Sequence, residues 1–343
     1  MGIGKSKIKV VFFHRKPRAL GNFSIESYFE QIRNELPPEF EPVKCIVPYQ
    51  SNGFIKRLYN AIYCAFRQGD INHITGDIHY VAAFLKKRKT ILTVLDCGML
   101  KQTTGIKHKI FKLFWFTIPV SKSERITVIS EATKQDLLRY VKYDADKIHV
   151  VHVSIPDYFK RSDKLFNSTN PRILQIGTAG NKNIKRLILA LNGIKCNLAI
   201  IGKINDELRT LIKEHNLNCE LFEKKLSDIE ILEEYKKCDI LTLVSTLEGF
   251  GMPIVEANAV GRVVIAGNDS SMPEVANNAA CLVDAMDIDS IHRGFKKIIG
   301  DTQYRDNLIS AGFENIKRFS VDYLTKQYCE IYNKLLNLEF SKN

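Results

Sequence analysis

Apolar residues follow two alternating rhythms along this chain. Short β-branched runs read as strands: IKVVFF (8–13), KCIV (44–47), INHI (71–74), TILTVL (90–95), RITVI (125–129) and KIHVVHV (147–153). Between them the apolar positions recur at helical spacing. Ile25, Tyr28, Phe29, Ile32 and Leu36 do so until Pro37 stops the pattern, and segments 54–67 and 131–142 read the same way. Strand and helix in regular alternation predict a parallel sheet covered on both faces.

Residues 158–170, FKRSDKLFNSTNP, are polar and aperiodic and read as a linker. The rhythm then restarts with RILQI (172–176), NLAII (197–201), ELF (220–222), DILTLV (239–244), RVVIA (262–266) and ACLV (280–283). Ser227 and Glu230 form a capping box before DILTLV, and segment 321–336 has helical spacing. The pattern predicts an α/β protein of two doubly wound, Rossmann-like domains, 1–157 and 171–318, facing each other across a cleft. A closing helix within 319–343 is expected to return toward the first domain.

Composition narrows the class. At 343 residues, 45% hydrophobic and 26% charged, the chain has enough apolar material for two cores, and disorder is not expected. It has no apolar run of about 18 residues and no signal-peptide pattern, which predicts a cytoplasmic protein. Its eight cysteines are scattered without a CxxC pair, so neither a zinc site nor a disulfide framework is indicated. The net charge of +12 lies entirely in the first half. Residues 1–150 carry 25 Lys and Arg against 13 Asp and Glu, whereas 151–343 carry 25 of each. That asymmetry points the first domain at something anionic, a nucleic acid or a membrane surface.

The chemistry concentrates in EGFGMPIVE (248–256). A strand leads into a glycine loop, and Pro253 suits the first turn of a helix that can end at Gly261. Helix N–H groups and the loops' close backbone approach suit phosphate or sugar oxygen. Two carboxylates, Glu248 and Glu256, bracket the loop. A carboxylate repels phosphate but grips a vicinal diol, and a nucleotide sugar has a diol at each end with a diphosphate between. The cation for that diphosphate is Lys182 in RILQIGTAGNKNIKRL, on a loop expected to open at the same sheet edge. Acids near a helix start also contribute roughly 0.3–1 kcal/mol through the dipole, and glycines also simply make turns.

At these residues the chain resembles a known family, the retaining glycosyltransferases of family 4 with the GT-B fold. The matching stretches are GTAGNKN (177–183), LSDIEILEEYKKCDILTLVSTLEGFGMPIVEANAVG (226–261), SMPEV (271–275), ITVISEATKQDL (126–137) and FSVDYLTKQYCEIYNKLL (319–336). The resemblance implies that Glu256 holds the nucleotide ribose. Glu248 with the N–H groups of Gly249, Phe250 and Gly251 would hold the donor sugar, and Lys182 the diphosphate. Gly177, Thr178, Asn183, Gly202, Lys203, Leu226 and Met252 complete the expected donor surround, with base recognition near Leu226 and Gly202. It further implies transfer of a hexose-type sugar from a nucleotide-diphosphate sugar, with retention and without metal or other cofactor. The acceptor would be a saccharide or a lipid-linked saccharide in cell-surface polysaccharide biosynthesis, and the two domains would close on binding.

The chain departs from the family pattern in places. Thr178 stands where relatives often carry arginine, so Lys203 or Lys185 becomes the candidate second cation. Leu95-Asp96 stands where relatives commonly show histidine and aspartate. Asp96 is therefore the first domain's candidate catalytic residue, or else a cap for the next turn. In RALGNFSI (18–25), Gly21 and Asn22 suit a turn near the diphosphate, or a helix start capped by Ser24. His73 and His79 are candidates for substrate contact or for structural roles. The strings Asp144-Ala145-Asp146 and Asp287-Ile288-Asp289 read as surface turns, and no metal is expected.

The basic half has a second signal. Segment 101–123 places Lys107, Lys109 and Lys112 beside Ile110, Phe111, Leu113, Phe114, Trp115 and Phe116, which suits either an anionic bilayer surface or a buried helix with a basic flank. Peripheral attachment at the inner face of the membrane is the expectation. No nucleic-acid motif accompanies the charge, so nucleic acid is not expected as a partner. The competing readings are a non-catalytic partner subunit that binds nucleotide sugar, and a nucleotide-sugar epimerase or phosphorylase of similar fold.

Overall fold

The computed structural model describes residues 6–17 and 24–340. The expected turn residues Gly21 and Asn22 lie outside the described residues. The chain divides into two compact units, Met1–Ser154 with Val321–Asn343, and Ile155–Ser320.

The first unit holds a parallel sheet of β1 (Ile8–His14), β2 (Phe40–Ile46), β3 (Ile71–Ile74), β4 (Thr90–Val94), β5 (Arg125–Val128) and β6 (Ile148–Val150). Their order is β2-β1-β3-β4-β5-β6. Strand β1 is central enough that Val10 to Phe13 are all buried, as expected where helices cover both faces. Strand β2 begins earlier than KCIV suggested and includes Pro42, which a sheet tolerates here because β2 is an edge strand. The helix Val321–Phe340 packs on this unit through buried aromatics. Tyr332 hydroxyl meets His73 Nδ1 at 2.8 Å, and Tyr328 hydroxyl meets Tyr28 hydroxyl at 3.2 Å.

The second unit repeats the plan with β7 (Arg172–Ile176), β8 (Asn197–Ile201), β9 (Asn218–Phe222), β10 (Ile240–Leu243), β11 (Val263–Gly267) and β12 (Cys281–Val283), in the order β12-β11-β10-β7-β8-β9. Residues 158–170, expected to be a free linker, belong to this unit and are tied down on it. Ser162 N–H donates to the Val260 carbonyl at 3.2 Å, and Lys164 pairs with the buried Asp239. Arg262, itself buried, donates to the carbonyls of Ser162 (2.8 Å), Tyr235 (3.0 Å) and Lys236 (2.8 Å). The capping box at Ser227 and Glu230 is formed, opening the helix Asp228–Lys237.

Helix Met252–Val260 follows β10 and is apolar nearly all round, which is how a helix reads when it runs through a core. Its only positions that are not buried are Met252, Pro253 and Glu256, which share one short face near its start. That face is where the helix leaves the core.

Candidate functional site

Strands β7 and β10 are parallel neighbours, with Ile173 opposite Ile240 and Gln175 opposite Thr242, so the loops that leave their carboxyl ends run side by side. They are laced together by backbone and amide bonds. Asn181 accepts from Thr246 N–H (2.8 Å) through its carbonyl, and its side-chain amide donates to the Leu247 carbonyl (2.8 Å). Asn183 occupies the left-handed region (φ 56°), and its side-chain amide donates to the carbonyls of Val244 (3.0 Å) and Ala285 (2.6 Å). This corrects the expectation for Asn183. The residue is buried and its amide is spent on the protein, so it fixes the loops rather than touching a donor.

The lacing brings Lys182 and Glu248 together, with Nζ and Oε1 at 2.7 Å and both side chains mostly buried. Gly177 makes room for this. Its φ is +83°, and a Cβ there would stand 3.2 Å from Lys182 Cε, so the lysine lies over the face that glycine leaves open. At the neighbouring β8 loop, a Cβ on Gly202 would come within 2.8 Å of the Thr178 side chain, which places those two residues in contact. The sequence reading had Lys182 on phosphate and Glu248 on hydroxyls. In the structure the two neutralise each other.

The EGFG loop is fastened from outside by two residues that the sequence reading missed. Ser270 accepts from Glu248 N–H (3.0 Å) and donates to its carbonyl (2.5 Å). Ser271 hydroxyl lies 3.0 Å from the Glu248 carbonyl and 2.7 Å from that of Phe250. Phe250 is buried and packs edge-on against Phe319, so its side chain is an anchor and only its backbone remains relevant to a ligand. Gly251, with φ 104°, turns the chain into the helix Met252–Val260.

Glu256 emerges on the short uncovered face of that helix. One carboxylate oxygen accepts from Tyr235 hydroxyl at 2.5 Å. Burial pushes the Glu256 carboxyl up to about 7, the Tyr235 bond offsets part of that rise, the charge of Asp228 adds to it and that of Lys182 opposes it. The group is thus poised near neutrality, and Tyr235 was invisible in the sequence because it reads as one more apolar position on its helix.

The remaining expected residues divide. Lys203 is exposed on the loop after β8 and Leu226 is half-buried between β9 and the following helix. Lys185 pairs with Glu207 at 2.7 Å, both largely exposed. Asp96 belongs to the first unit, where it is exposed and one oxygen accepts from Gly98 N–H at 2.7 Å, the turn-capping geometry. His73 is fully buried between Tyr332 and Thr93 (2.8 Å to each), and His79 is buried against the Trp115 carbonyl (2.8 Å). Both histidines therefore serve the core of the first unit and do not line a site. Asp144 and Asp287 cap their own turns at 3.0 and 2.9 Å. Among the described residues no three His, Cys, Asp or Glu side chains gather as a metal site, and no helix is long and apolar enough to cross a membrane.

Residues 157–315, nearly the whole of the second unit, match the family model described as Glycosyl transferases group 1. Over that stretch the second unit is similar to the family. An O-antigen chain mannosyltransferase B of Escherichia coli is 25% identical over 236 residues, covering 63% of this chain and 62% of that protein. The chain thus spans somewhat less than two thirds of that relative's length. An O-antigen chain mannosyltransferase RfbU of Salmonella typhimurium is 25% identical over 254 residues, covering 70% of each. Among solved structures, a glycosyltransferase from Rickettsia africae superposes with TM-score 0.74 at 21% identity, over 96% of this chain and 99% of that one. HepE of Anabaena in complex with UDP and glucose gives 0.77 at 14% identity, over 96% and 100%. These likenesses establish the fold as GT-B, built of two Rossmann-like units.

Proposed function

We propose that the protein is a retaining glycosyltransferase that moves a hexose from a nucleoside-diphosphate sugar to a saccharide or lipid-linked acceptor in cell-surface polysaccharide assembly. The observation that carries the reading is the Lys182–Glu248 pair at 2.7 Å beside the poised carboxyl of Glu256, on loops that leave neighbouring parallel strands. A donor diphosphate arriving at Lys182 takes over the ammonium. Glu248 is then released to accept from sugar hydroxyls, and Glu256 from the ribose diol. As the sugar–phosphate bond breaks, charge develops on the leaving diphosphate, and Lys182 with the N–H groups at the start of helix Met252–Val260 stabilises it. The acceptor hydroxyl attacks from the face that the diphosphate leaves and gives its proton to the departing phosphate oxygen, which preserves the anomeric configuration. Asp96 of the first unit remains a candidate catalytic residue in this reading. No metal takes part, because the ammonium and the N–H groups carry the phosphate charge. The names of the two O-antigen relatives favour mannose as the sugar, and the nucleotide-bound neighbour supports a nucleoside diphosphate as the leaving group. The site of action is the cytoplasm, with peripheral contact at the membrane.

Acceptor-dependent release of nucleoside diphosphate from a panel of donor sugars tests this. Lys182→Ala and Glu248→Ala should each lower the rate by roughly 100- to 1,000-fold, the usual cost of removing a group that stabilises developing charge. Circular dichroism should show both variants folded. Donor binding without any turnover would instead make the chain a nucleotide-sugar-binding partner subunit. Inversion at the anomeric centre of the product would reject the retaining mechanism.

A further inference from the structure

The first unit contains a groove of about 740 Å³, of the size that holds a small ligand, and the donor chemistry makes no use of it. Its walls come from three separate segments: the helix Phe54–Ala65, the turn around Phe84, and the stretch from helix Gly105–Lys112 into Leu113–Thr117. Phe54, Leu58, Phe84, Ile110, Phe114 and Trp115 supply an almost wholly apolar lining. The apolar surface continues outside the groove. On helix Phe54–Ala65 the residues Phe54, Ile55, Leu58, Tyr59 and Ile62 form an exposed stripe, with Ile55 82% exposed, although the helix already buries Ala61 and Cys64 on its other side. An exposed stripe of this extent marks an interaction surface.

The groove's rim is cationic. Arg15, Lys16, Arg57 and Lys107 stand there with one acid, Asp77, which is already paired with Arg15. Among the described residues Lys16, Arg57 and Lys107 have no carboxylate partner. Arg57 is held in place by its bond to the Ser51 carbonyl (2.8 Å) and by stacking 4.5 Å above the Trp115 ring. An apolar trough ending at three uncompensated cations matches an amphiphile whose chain is joined to phosphate. A second copy of this chain fits poorly, because a twofold contact would set these cations against their own equivalents. A flat bilayer alone would need no concavity.

We infer that this groove seats the lipid portion of a lipid-linked acceptor, an alkyl or isoprenoid chain lying against Leu58, Phe114 and Trp115 with its phosphate at Arg57, Lys16 and Lys107. The inference rests on the glycosyltransferase reading and selects a lipid phosphate over a free saccharide as the acceptor's carrier. The exposed stripe then sits at the membrane from which such a chain is drawn.

Trp115 is the only tryptophan of the chain, so its fluorescence reports on the groove without reference to activity. Chain-brominated dodecyl phosphate, kept below its micelle-forming concentration, is expected to quench Trp115 saturably. Chain-brominated dodecyl maltoside should need about tenfold more, the worth of one charged contact at low salt. Lys107→Glu should remove that preference, and Leu58→Glu should weaken both probes. Circular dichroism serves as the check that each variant is folded. Equal affinity for the two probes, quenching that appears only with vesicles, or a dimer in sedimentation that Leu58→Glu dissolves would each overturn the inference. With a donor that is turned over, a saccharide on dodecyl phosphate should exceed the free saccharide in kcat/KM, and equal values would also overturn it. If no donor is turned over while quenching behaves as expected, the proposed function fails and the lipid-phosphate site stands.

Discussion

In the first unit His14 and His73 carry imidazoles from β1 and β3 into the sheet interior, whereas the second unit keeps Lys182, Glu248 and Glu256 on the loops and helix beyond its strand ends. Both sheets have six parallel strands, and they use ionisable groups for opposite purposes. His14 is bonded to Arg33 (2.8 Å) and Thr75 (3.0 Å), and His73 to Tyr332 and Thr93, so both rings work as neutral connectors in the core. Lys182 and Glu248 of the second unit pair with each other on loops, and in the proposed function a donor exchanges with that pair. One sheet plan thus supports a core network in one place and a cluster of charged groups beyond its strand ends in another.

Acid should separate the two units. Burial lowers His14 to about 3, with Arg33 and Lys44 adding to the effect, and burial with the charge of His14 lowers His73 to about 3. A folded value below the unfolded 6.5 means that stability is full above pH 6.5 and is lost as pH falls beneath it. Each ring should contribute about 1.4 kcal/mol per pH unit, so the two together cost the first unit about 4 kcal/mol between pH 6.5 and 5. Glu256 has the reverse sign. Its folded value of about 7 lies above the unfolded 4.5, so the second unit gains as pH falls through that window. Hydrogen exchange followed by mass spectrometry should show peptides of β1 and β3 losing protection first at pH 5. His73→Gln keeps a hydrogen-bonding side chain without the titration and should reduce the slope by about half. Simultaneous loss of protection in both units, unchanged by His73→Gln, would remove the contrast.

The lacing of the second unit's loops can be cut without touching a charge. Asn183→Ala leaves the buried carbonyls of Val244 and Ala285 unsatisfied and puts alanine at φ 56°. Two lost bonds and a strained backbone should cost about 2–4 kcal/mol. Asn183→Gly keeps the backbone conformation and should cost less. Both substitutions loosen the hold on Lys182, the preceding residue, so donor affinity should fall in the same order as stability. Calorimetry with titration of the nucleoside diphosphate that the parent protein binds measures both on one sample, and unchanged affinity in a destabilised Asn183→Ala would show that the lacing does not position the lysine.

How far the sequence revealed this depends on where the partners lie. All twelve strands were read from the sequence, the central ones as apolar runs because parallel strands buried on both faces leave that mark, and the largely exposed edge strands β2 and β9 from only part of their length. Glu248 and Lys182 were legible because each follows a strand within a glycine loop, a local pattern with a chemical meaning. Asn183 looked like part of such a loop, and its burial depends on carbonyls 61 and 102 residues away. Tyr235 and Ser270 likewise become visible only when the helix Asp228–Lys237 and the residues after β11 are folded against the site. The groove was least legible, since it is assembled from separate segments of which the sequence marked only 101–123, as a bilayer surface or a buried helix with a basic flank.

The smallest effect bears most directly on ligand chemistry. If Glu256 receives the ribose, it must do so as a carboxylate, because only the ionised form accepts from both hydroxyls of a diol while keeping the Tyr235 bond. With a carboxyl at about 7 in the free protein, roughly one molecule in ten is ionised at pH 6 and nine in ten at pH 8. Nucleoside diphosphate should therefore bind about ninefold more tightly at pH 8 than at pH 6, about 1.3 kcal/mol, with a proton released on binding near neutrality. The ligand's own phosphate titration near pH 6 acts in the same direction. The contribution of Glu256 is thus the part that disappears in Glu256→Gln. That variant should also be more stable than the parent at pH 8 without ligand, by about 1–3 kcal/mol, since it removes the burial of a charge. Isothermal titration calorimetry in buffers of different ionisation enthalpy counts the released proton directly. Lys182→Ala should shift the step to higher pH, because the ammonium opposes the rise at Glu256. A pH profile identical in parent and Glu256→Gln would place the ribose elsewhere and leave Glu256 as a buried acid paired with Tyr235.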